Sequence, residues 1–226
     1  MQAADIRLML TVQREICAKR LSVWLYQLNC NDYKKIMSFS HRIATLDDAL
    51  AIESLMALSM SVLLKDVLSP EQVAKSNESM GLDTQIIKDG TYFLILDDAQ
   101  LVGCGGWSRR RTLYGGNHTL GRDNSLADPA NEAAKIRAMY THPDHVRRGI
   151  GKLLIDLGEE AAKAEGFKTM ELGATASGIL LYEKCGYEVI EDLAVPDEDG
   201  VTVPIILMRK SLVWFKACPD SSVMLP

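Results

Sequence analysis

From about residue 37 onwards, apolar residues follow clear helical and strand patterns along the chain. Ile52, Leu55, Met56 and Leu63 recur at helical spacing, which predicts a helix over residues 49–65. Further helices are predicted over residues 70–80, 149–165 and 177–185. Strands are predicted over residues 39–44, 92–96, 101–108, 134–141, 169–173, 187–190 and 201–208. This order of elements indicates an α/β or α+β domain built around one mixed sheet.

The same patterning divides the chain into three parts. Residues 1–36 lack clear turn signals, and we expect them to form an N-terminal extension. A single domain is predicted over residues 37–212. Residues 213–226 are expected to be a C-terminal tail whose end frays.

Composition and charge exclude several classes of protein. The chain has 226 residues, of which 47% are hydrophobic and 24% are charged, as in an average globular protein. Its net charge of −5 gives no general attraction to nucleic acid or to an anionic membrane surface. Its five cysteines form no C-x-x-C pair, so we expect free thiols and no metal site. Since no apolar run approaches the roughly 20 residues of a membrane span, a cytoplasmic protein is predicted.

A basic, glycine-rich segment, Arg-Arg-Gly-Ile-Gly-Lys-Leu-Leu, opens the third predicted helix. The first N–H groups of a helix have no acceptor within it, and together with the helix dipole they form an anion site. Gly149 and Gly151 carry no side chain that would keep a phosphate away from these groups. Arg147, Arg148 and Lys152 add positive charge at the same place. A diphosphate is therefore the kind of group that this helix start fits.

Two common phosphate motifs do not match this segment. A Walker loop requires glycine where Val146 stands, and Ser or Thr where Leu153 stands. The dinucleotide fingerprint requires a third glycine, but Leu154 occupies that position. The segment is therefore neither a Walker loop nor a dinucleotide fingerprint.

Residues 142–151, His-Pro-Asp-His-Val-Arg-Arg-Gly-Ile-Gly, resemble the acetyl-CoA signature of the GNAT superfamily of N-acetyltransferases. That signature is Arg/Gln-x-x-Gly-x-Gly/Ala after a strand and a proline-containing turn, and Val146 replaces its first residue. Residues 181–187, Leu-Tyr-Glu-Lys-Cys-Gly-Tyr, resemble a helix end that follows in the family. The resemblance implies a GNAT-like fold, with a mixed, mostly antiparallel central sheet flanked by helices. It also implies that residues 37–212 are an N-acetyltransferase domain.

The resemblance also implies a cofactor, acetyl-CoA, which leaves as CoA after acetyl transfer. Its diphosphate is expected at the helix start, and its pantetheine arm along the end of the preceding strand. Thr175 occupies a position at which the family often carries Asn. The residues expected to bind the cofactor are Met139, Tyr140, Thr141, Arg147, Arg148, Gly149, Ile150, Gly151, Lys152 and Thr175.

The reaction that the resemblance implies is direct attack of a primary amine on the thioester. Tyr182 is the expected catalytic residue, because a phenol can protonate the departing thiolate at neutral pH. No general base is assigned. Relatives often carry Glu on the strand before the proline-containing turn, but Lys135 stands near that place here, and the candidates are Glu132, His118 and His142.

The acceptor is left open between the amine of a small molecule and that of a peptide. The arginines at 109–111 are either a clamp for an acidic acceptor group or a solvated charge run. A catalytically silent acetyl-CoA-binding sensor or regulatory module is the alternative function. A homodimer is one assembly that the resemblance leaves open.

Overall fold

The computed structural model describes residues 39–194 and 200–213. Its helices are α1 (Ala49–Leu63), α2 (Pro70–Ser79), α3 (Thr84–Lys88), α4 (Ile150–Ala164) and α5 (Ile179–Lys184), with short 3₁₀ turns at Leu46–Asp48 and Pro143–His145. Its strands are β1 (Phe39–Ile43), β2 (Tyr92–Asp97), β3 (Gln100–Ser108), β4 (Ala134–Thr141), β5 (Thr169–Thr175), β6 (Glu188–Asp192) and β7 (Ile205–Ser211). Among the described helices, none is both long enough and apolar enough to cross a membrane. The predicted extension over residues 1–36 and the predicted tail after residue 213 lie outside the described residues, so the division into three parts stays a prediction.

Within the described part of the chain, the strands form one seven-stranded sheet in the order β1-β2-β3-β4-β5-β7-β6. The β4–β5 pair is parallel. The β2–β3, β3–β4, β5–β7 and β6–β7 pairs are antiparallel. This arrangement confirms the predicted mixed, mostly antiparallel sheet.

Helices pack on both faces of this sheet, because successive side chains of a strand point to opposite faces. On one face, Ile52 of α1 joins a buried cluster with Leu94 and Cys104. On the other face, α4 lies so close to β3 that a side chain at Gly105 would stand 3.3 Å from Leu154. Small residues on β3 therefore let α4, and with it the helix start at residue 150, lie close to the centre of the sheet.

Candidate active site

The sheet opens between β4 and β5. In the described chain these strands pair only where they begin, at Ala134 with Met170 and at Lys135 with Glu171. At this closed end, Lys135 Nζ lies 2.6 Å from Glu171 Oε2. Beyond it, two cavities are lined by residues of both strands: a larger cavity of about 420 Å³ and a smaller cavity of about 100 Å³.

A bulge in β4 lies at this opening. The register between β3 and β4 shifts here, and Ala138 has a φ of 49°. The buried Tyr92 holds the bulge, since its Oη donates a hydrogen bond to the carbonyl oxygen of Ala138 at 2.8 Å. Bulges re-aim the side chains beside them. The two residues that follow, Met139 and Tyr140, line both cavities.

The larger cavity reaches the start of α4. Arg147 has a φ of 62° and Gly149 a φ of 92°, so the chain turns sharply just before the helix. The Leu153 N–H donates to the carbonyl oxygen of Gly149 at 3.0 Å, closing the first turn. The N–H groups of Ile150 and Gly151 precede this bond, and an α-helix offers them no internal acceptor. They are therefore suited to bind an anion that enters from the cavity.

Two cationic side chains border the helix start, and a third lies elsewhere. Arg147 and Lys152 line the larger cavity, and Lys152 Nζ also lies 2.6 Å from Asp156 Oδ2. Arg148 does not line it, because its guanidinium donates to Asp97 Oδ2 at 2.8 Å. The helix start, Arg147 and Lys152 together fit the diphosphate of a nucleotide cofactor.

The structure brings together the residues expected to bind the cofactor, apart from Arg148. The residues of this group that line the larger cavity are Met139, Tyr140, Thr141, Arg147, Gly149, Ile150, Gly151, Lys152 and Thr175. The end of β4, the start of α4 and the end of β5 thus border one continuous space.

Tyr182 of α5 lies where the two cavities meet. Its half-buried side chain lines both of them. Its ring lies over Gly178, where an added Cβ would stand 2.6 Å from Tyr182 Cε2, so glycine makes room for the ring. Burial raises the pKa of the Tyr182 phenol to about 12, which keeps the hydroxyl protonated at neutral pH.

The ring of Tyr187 supports Tyr182 from behind. The two rings pack edge to face with their centroids 6.1 Å apart. The N–H of Tyr187 also donates to the carbonyl oxygen of Tyr182 at 3.0 Å. Tyr187 is buried, and Lys210 Nζ lies 5.6 Å from the centre of its ring. The Tyr187 ring is therefore itself held in place.

None of the general-base candidates named from the sequence lies in the described lining of the two cavities. That lining contains no aspartate or glutamate, and its one histidine is His145. Those candidates are Glu132, His118 and His142, and Lys135 does not line either cavity. Glu132 instead accepts hydrogen bonds from Arg111 at 2.6 and 2.8 Å, which lower the pKa of its carboxyl to about 2.

The arginines at 109–111 are ion-paired within the protein. Their pairs are Arg109 with Glu165 at 2.8 Å, Arg110 with Asp89 at 2.6 Å and Arg111 with Glu132 at 2.6 Å. None of these arginines belongs to the described lining of either cavity. These ion pairs hold the loop after β3 in place. The structure therefore supports neither a clamp for an acidic acceptor group nor a solvated run of charges.

A buried charge cluster beside the smaller cavity is a feature that sequence analysis missed. Asp83 and Arg137 are 1% and 3% exposed. Asp83 Oδ2 accepts from Arg137 at 3.0 Å and from Arg122 at 2.7 Å. Arg137 also donates to the carbonyl oxygens of Thr112 and Gly115. The available signal was an arginine inside the apolar strand β4, because a buried charge requires a buried partner.

A sheet that opens between parallel strands, beside a helix start suited to a diphosphate, can hold an elongated cofactor that carries a diphosphate. Residues 61–187, more than half of the chain, match the model of the acetyltransferase (GNAT) family. The chain therefore belongs to this family, which confirms the resemblance of its motifs. Members of the family use acetyl-CoA and act on amine acceptors, so the predicted cofactor is confirmed at the level of the family.

Solved structures agree with the fold. The GCN5-related N-acetyltransferase of Rhodopseudomonas palustris, also described as an aminotransferase of class II, gives a TM-score of 0.55 at 22% identity over 76% of this chain and 94% of that one. The PaiA N-acetyltransferase of Thermoplasma acidophilum was solved in complex with coenzyme A. It gives a TM-score of 0.53 at 15% identity, over 77% of this chain and 99% of that one. At these identities the likeness shows the fold alone.

A shorter stretch is similar to the histone acetyltransferase ESA1 of Mycosarcoma maydis. The two are 33% identical over 95 residues, which are 42% of this chain and 17% of that protein. Because the chain spans less than a fifth of that relative, the relative's activity is not carried over to it.

Proposed function

We propose that this protein is an N-acetyltransferase that moves an acetyl group from acetyl-CoA to a primary amine of a small molecule or peptide. The acceptor nitrogen attacks directly, so that a C–N bond forms and a C–S bond breaks. The nitrogen loses one proton and the sulfur gains one. Bound acetyl-CoA supplies the thioester carbonyl and the leaving thiolate, and the products are an N-acetyl amide and CoA.

The position of Tyr182 is the observation that carries this proposal. Its side chain borders both the larger cavity, proposed for the cofactor, and the smaller cavity, proposed for the acceptor. A pKa raised to about 12 keeps the proton on Oη until it is donated to the departing sulfur. A positioned general acid contributes a factor of roughly 10²–10⁴ to a rate.

The residues around the larger cavity are proposed to bind different parts of the cofactor. The N–H groups at the start of α4 and the charge of Arg147 are proposed to bind the diphosphate. Backbone groups of β4 from Met139 to Thr141 are proposed to orient the pantetheine arm, one N–H stabilising the negative charge that develops on the carbonyl oxygen. Arg148 is proposed to contribute to cofactor binding indirectly, through its hydrogen bond to Asp97, and not by contacting the cofactor.

The two described thiols support direct attack over an acetylated cysteine. Burial raises the pKa of the Cys104 thiol to about 12, and it also raises the pKa of Cys185. Neither side chain belongs to the described lining of the cavities. A thiol with a raised pKa is a poor nucleophile at neutral pH.

The test is an initial-rate study with acetyl-CoA and a panel of small amines and peptide amines, following thiol release and the mass of the products. We expect an N-acetylated acceptor and intersecting double-reciprocal plots, as direct transfer requires. Parallel plots with an acetylated protein would contradict direct attack. Binding of acetyl-CoA without thiol release from any acceptor would contradict the enzyme and favour a sensor.

A cytoplasmic location is also proposed. Cys104 and Cys185 are free thiols in the described chain, as is usual for proteins of a reducing compartment. A homodimer stays a prediction, which light scattering of the purified protein tests.

A further inference from the structure

Apolar side chains make up most of the wall of the smaller cavity. Side chains that form it include Met80, Leu113, Tyr114, Leu172, Val203 and Ile205. Arg137 is the one charged side chain of the described lining, which contains no Asp, Glu, His or Lys. A group that enters this space exchanges water for hydrocarbon, which favours an apolar group and disfavours a cation.

The charge beside the cavity has the same sign as a protonated amine. Arg137 donates to Asp83 at 3.0 Å and to the carbonyl oxygens of Thr112 and Gly115 at 2.9 and 2.7 Å. Asp83 is shared with Arg122, so two guanidinium groups and one carboxylate leave a formal charge of +1. This cluster repels a second cation brought to the cavity wall.

The size of the cavity indicates how large a group it can enclose. Its volume is about 100 Å³. For scale, an apolar cavity of roughly 150 Å³ in another protein holds one benzene molecule. The smaller cavity therefore fits a compact hydrocarbon group of about four or five carbons beside the reacting nitrogen.

We propose that the acceptor is a small monoamine with a compact apolar body, such as a branched alkylamine, and not a polycation. A polyamine or a lysine-rich peptide would bring further charges to the mouth of a cavity whose described lining holds no anion to pair with them. The inference rests on the proposed function, because it takes the smaller cavity as the acceptor site.

The test compares isoamylamine with spermidine and with a lysine-rich peptide, in rates of thiol release at saturating acetyl-CoA. We expect kcat/KM for isoamylamine to exceed that for either polycation by at least about tenfold. A higher kcat/KM for spermidine or the peptide overturns the inference and leaves the proposed function intact.

A binding measurement separates the two proposals when no acceptor turns over. The same amines are titrated into the CoA complex by calorimetry. Tighter binding of isoamylamine supports the inference even as the missing turnover contradicts the proposed function. Tighter binding of a polycation, or no binding of any amine, overturns the inference.

A charge placed on the wall of the smaller cavity tests whether this cavity is the acceptor site. Val203 is half-buried and lines the cavity, whereas Val201 is half-buried on the same segment but is not part of the lining. In Val203→Asp, we expect the ratio of kcat/KM for spermidine to that for isoamylamine to rise by about tenfold, as for one charge-assisted hydrogen bond. Val201→Asp is the matched control, with a ratio within about twofold of wild type. Equal ratios in the two variants would overturn the assignment of the cavity.

Discussion

Replacing Gly149 by alanine perturbs the helix start in two ways that can be measured separately. Gly149 has a φ of 92°, a conformation that costs a residue with a Cβ about 1–2 kcal/mol. For a chain of this size, that cost lowers Tm by about 2–8 °C. The new methyl group is also expected to crowd a diphosphate at the N–H groups of Ile150 and Gly151. Loss of one charge-assisted hydrogen bond, about 1.5–3 kcal/mol, weakens binding of CoA roughly 10–150-fold.

Gly166→Ala is the matched control for this variant. Gly166 follows the other end of the same helix with a φ of 91°, and an added Cβ there would have Pro129 Cβ as its nearest neighbour, at 3.9 Å. The two variants therefore carry similar backbone strain, but only one of them lies at the proposed phosphate site. Thermal unfolding measures the strain, and calorimetry measures the Kd for CoA. We expect similar losses of Tm and a weakened Kd in Gly149→Ala alone. Equal Kd values in both variants would refute the reasoning.

Tyr182→Phe is expected to keep the Kd for CoA within about twofold and to lower kcat by roughly 10²–10⁴-fold; an unchanged kcat in steady-state assays would remove Tyr182 from the reaction. In the proposed reaction the protonated phenol is the active form, and with a pKa raised to about 12 it is lost only as pH rises through that value. The pH profile of kcat is therefore expected to show no alkaline decline between about pH 8 and 10, and a decline that disappears in Tyr182→Phe would contradict this. Asp83→Asn removes the carboxylate between Arg122 and Arg137, and is expected to lower the free energy of unfolding by about 3–5 kcal/mol in urea. A loss below about 1 kcal/mol, the range of an exposed ion pair, would show that the cluster does not behave as buried charge.

Elements with strong local signals could be predicted from the sequence. The strand Ala134–Thr141 has the predicted bounds, because its apolar residues are bounded by a polar loop and a proline turn. Helix α2 begins at Pro70, where Ser69 accepts from the Gln72 N–H and the Gln72 side chain accepts from the Ser69 N–H. The start of α4 after Gly149 could likewise be predicted, from the glycine itself and from the helical spacing of the apolar residues that follow.

Elements without such signals were missed or displaced. Helix α3 has five residues, which is too short for a periodic pattern. The last strand, predicted over residues 201–208, lies at Ile205–Ser211. Its position is set by pairing with β5, where Thr175 opposes Ile205 and Thr169 opposes Ser211. No local pattern reports such a register.

The smaller cavity, proposed for the acceptor, could not be predicted, because it is assembled from distant segments. The smaller cavity takes residues from Met80 to Ile205. The Asp83–Arg137 pair joins residues 54 positions apart in the chain. Burial of a charge depends on what packs around it, so only the folded arrangement shows that the described walls of the two cavities hold no carboxylate.

The most direct test of the helix start is an NMR titration of the ¹⁵N-labelled protein with CoA and, separately, with pantetheine, which lacks the diphosphate. The amide signals of Ile150, Gly151 and Lys152 are predicted to shift with CoA and to stay in place with pantetheine. Unchanged signals with CoA, or equal shifts with pantetheine, would contradict a diphosphate held by the start of α4.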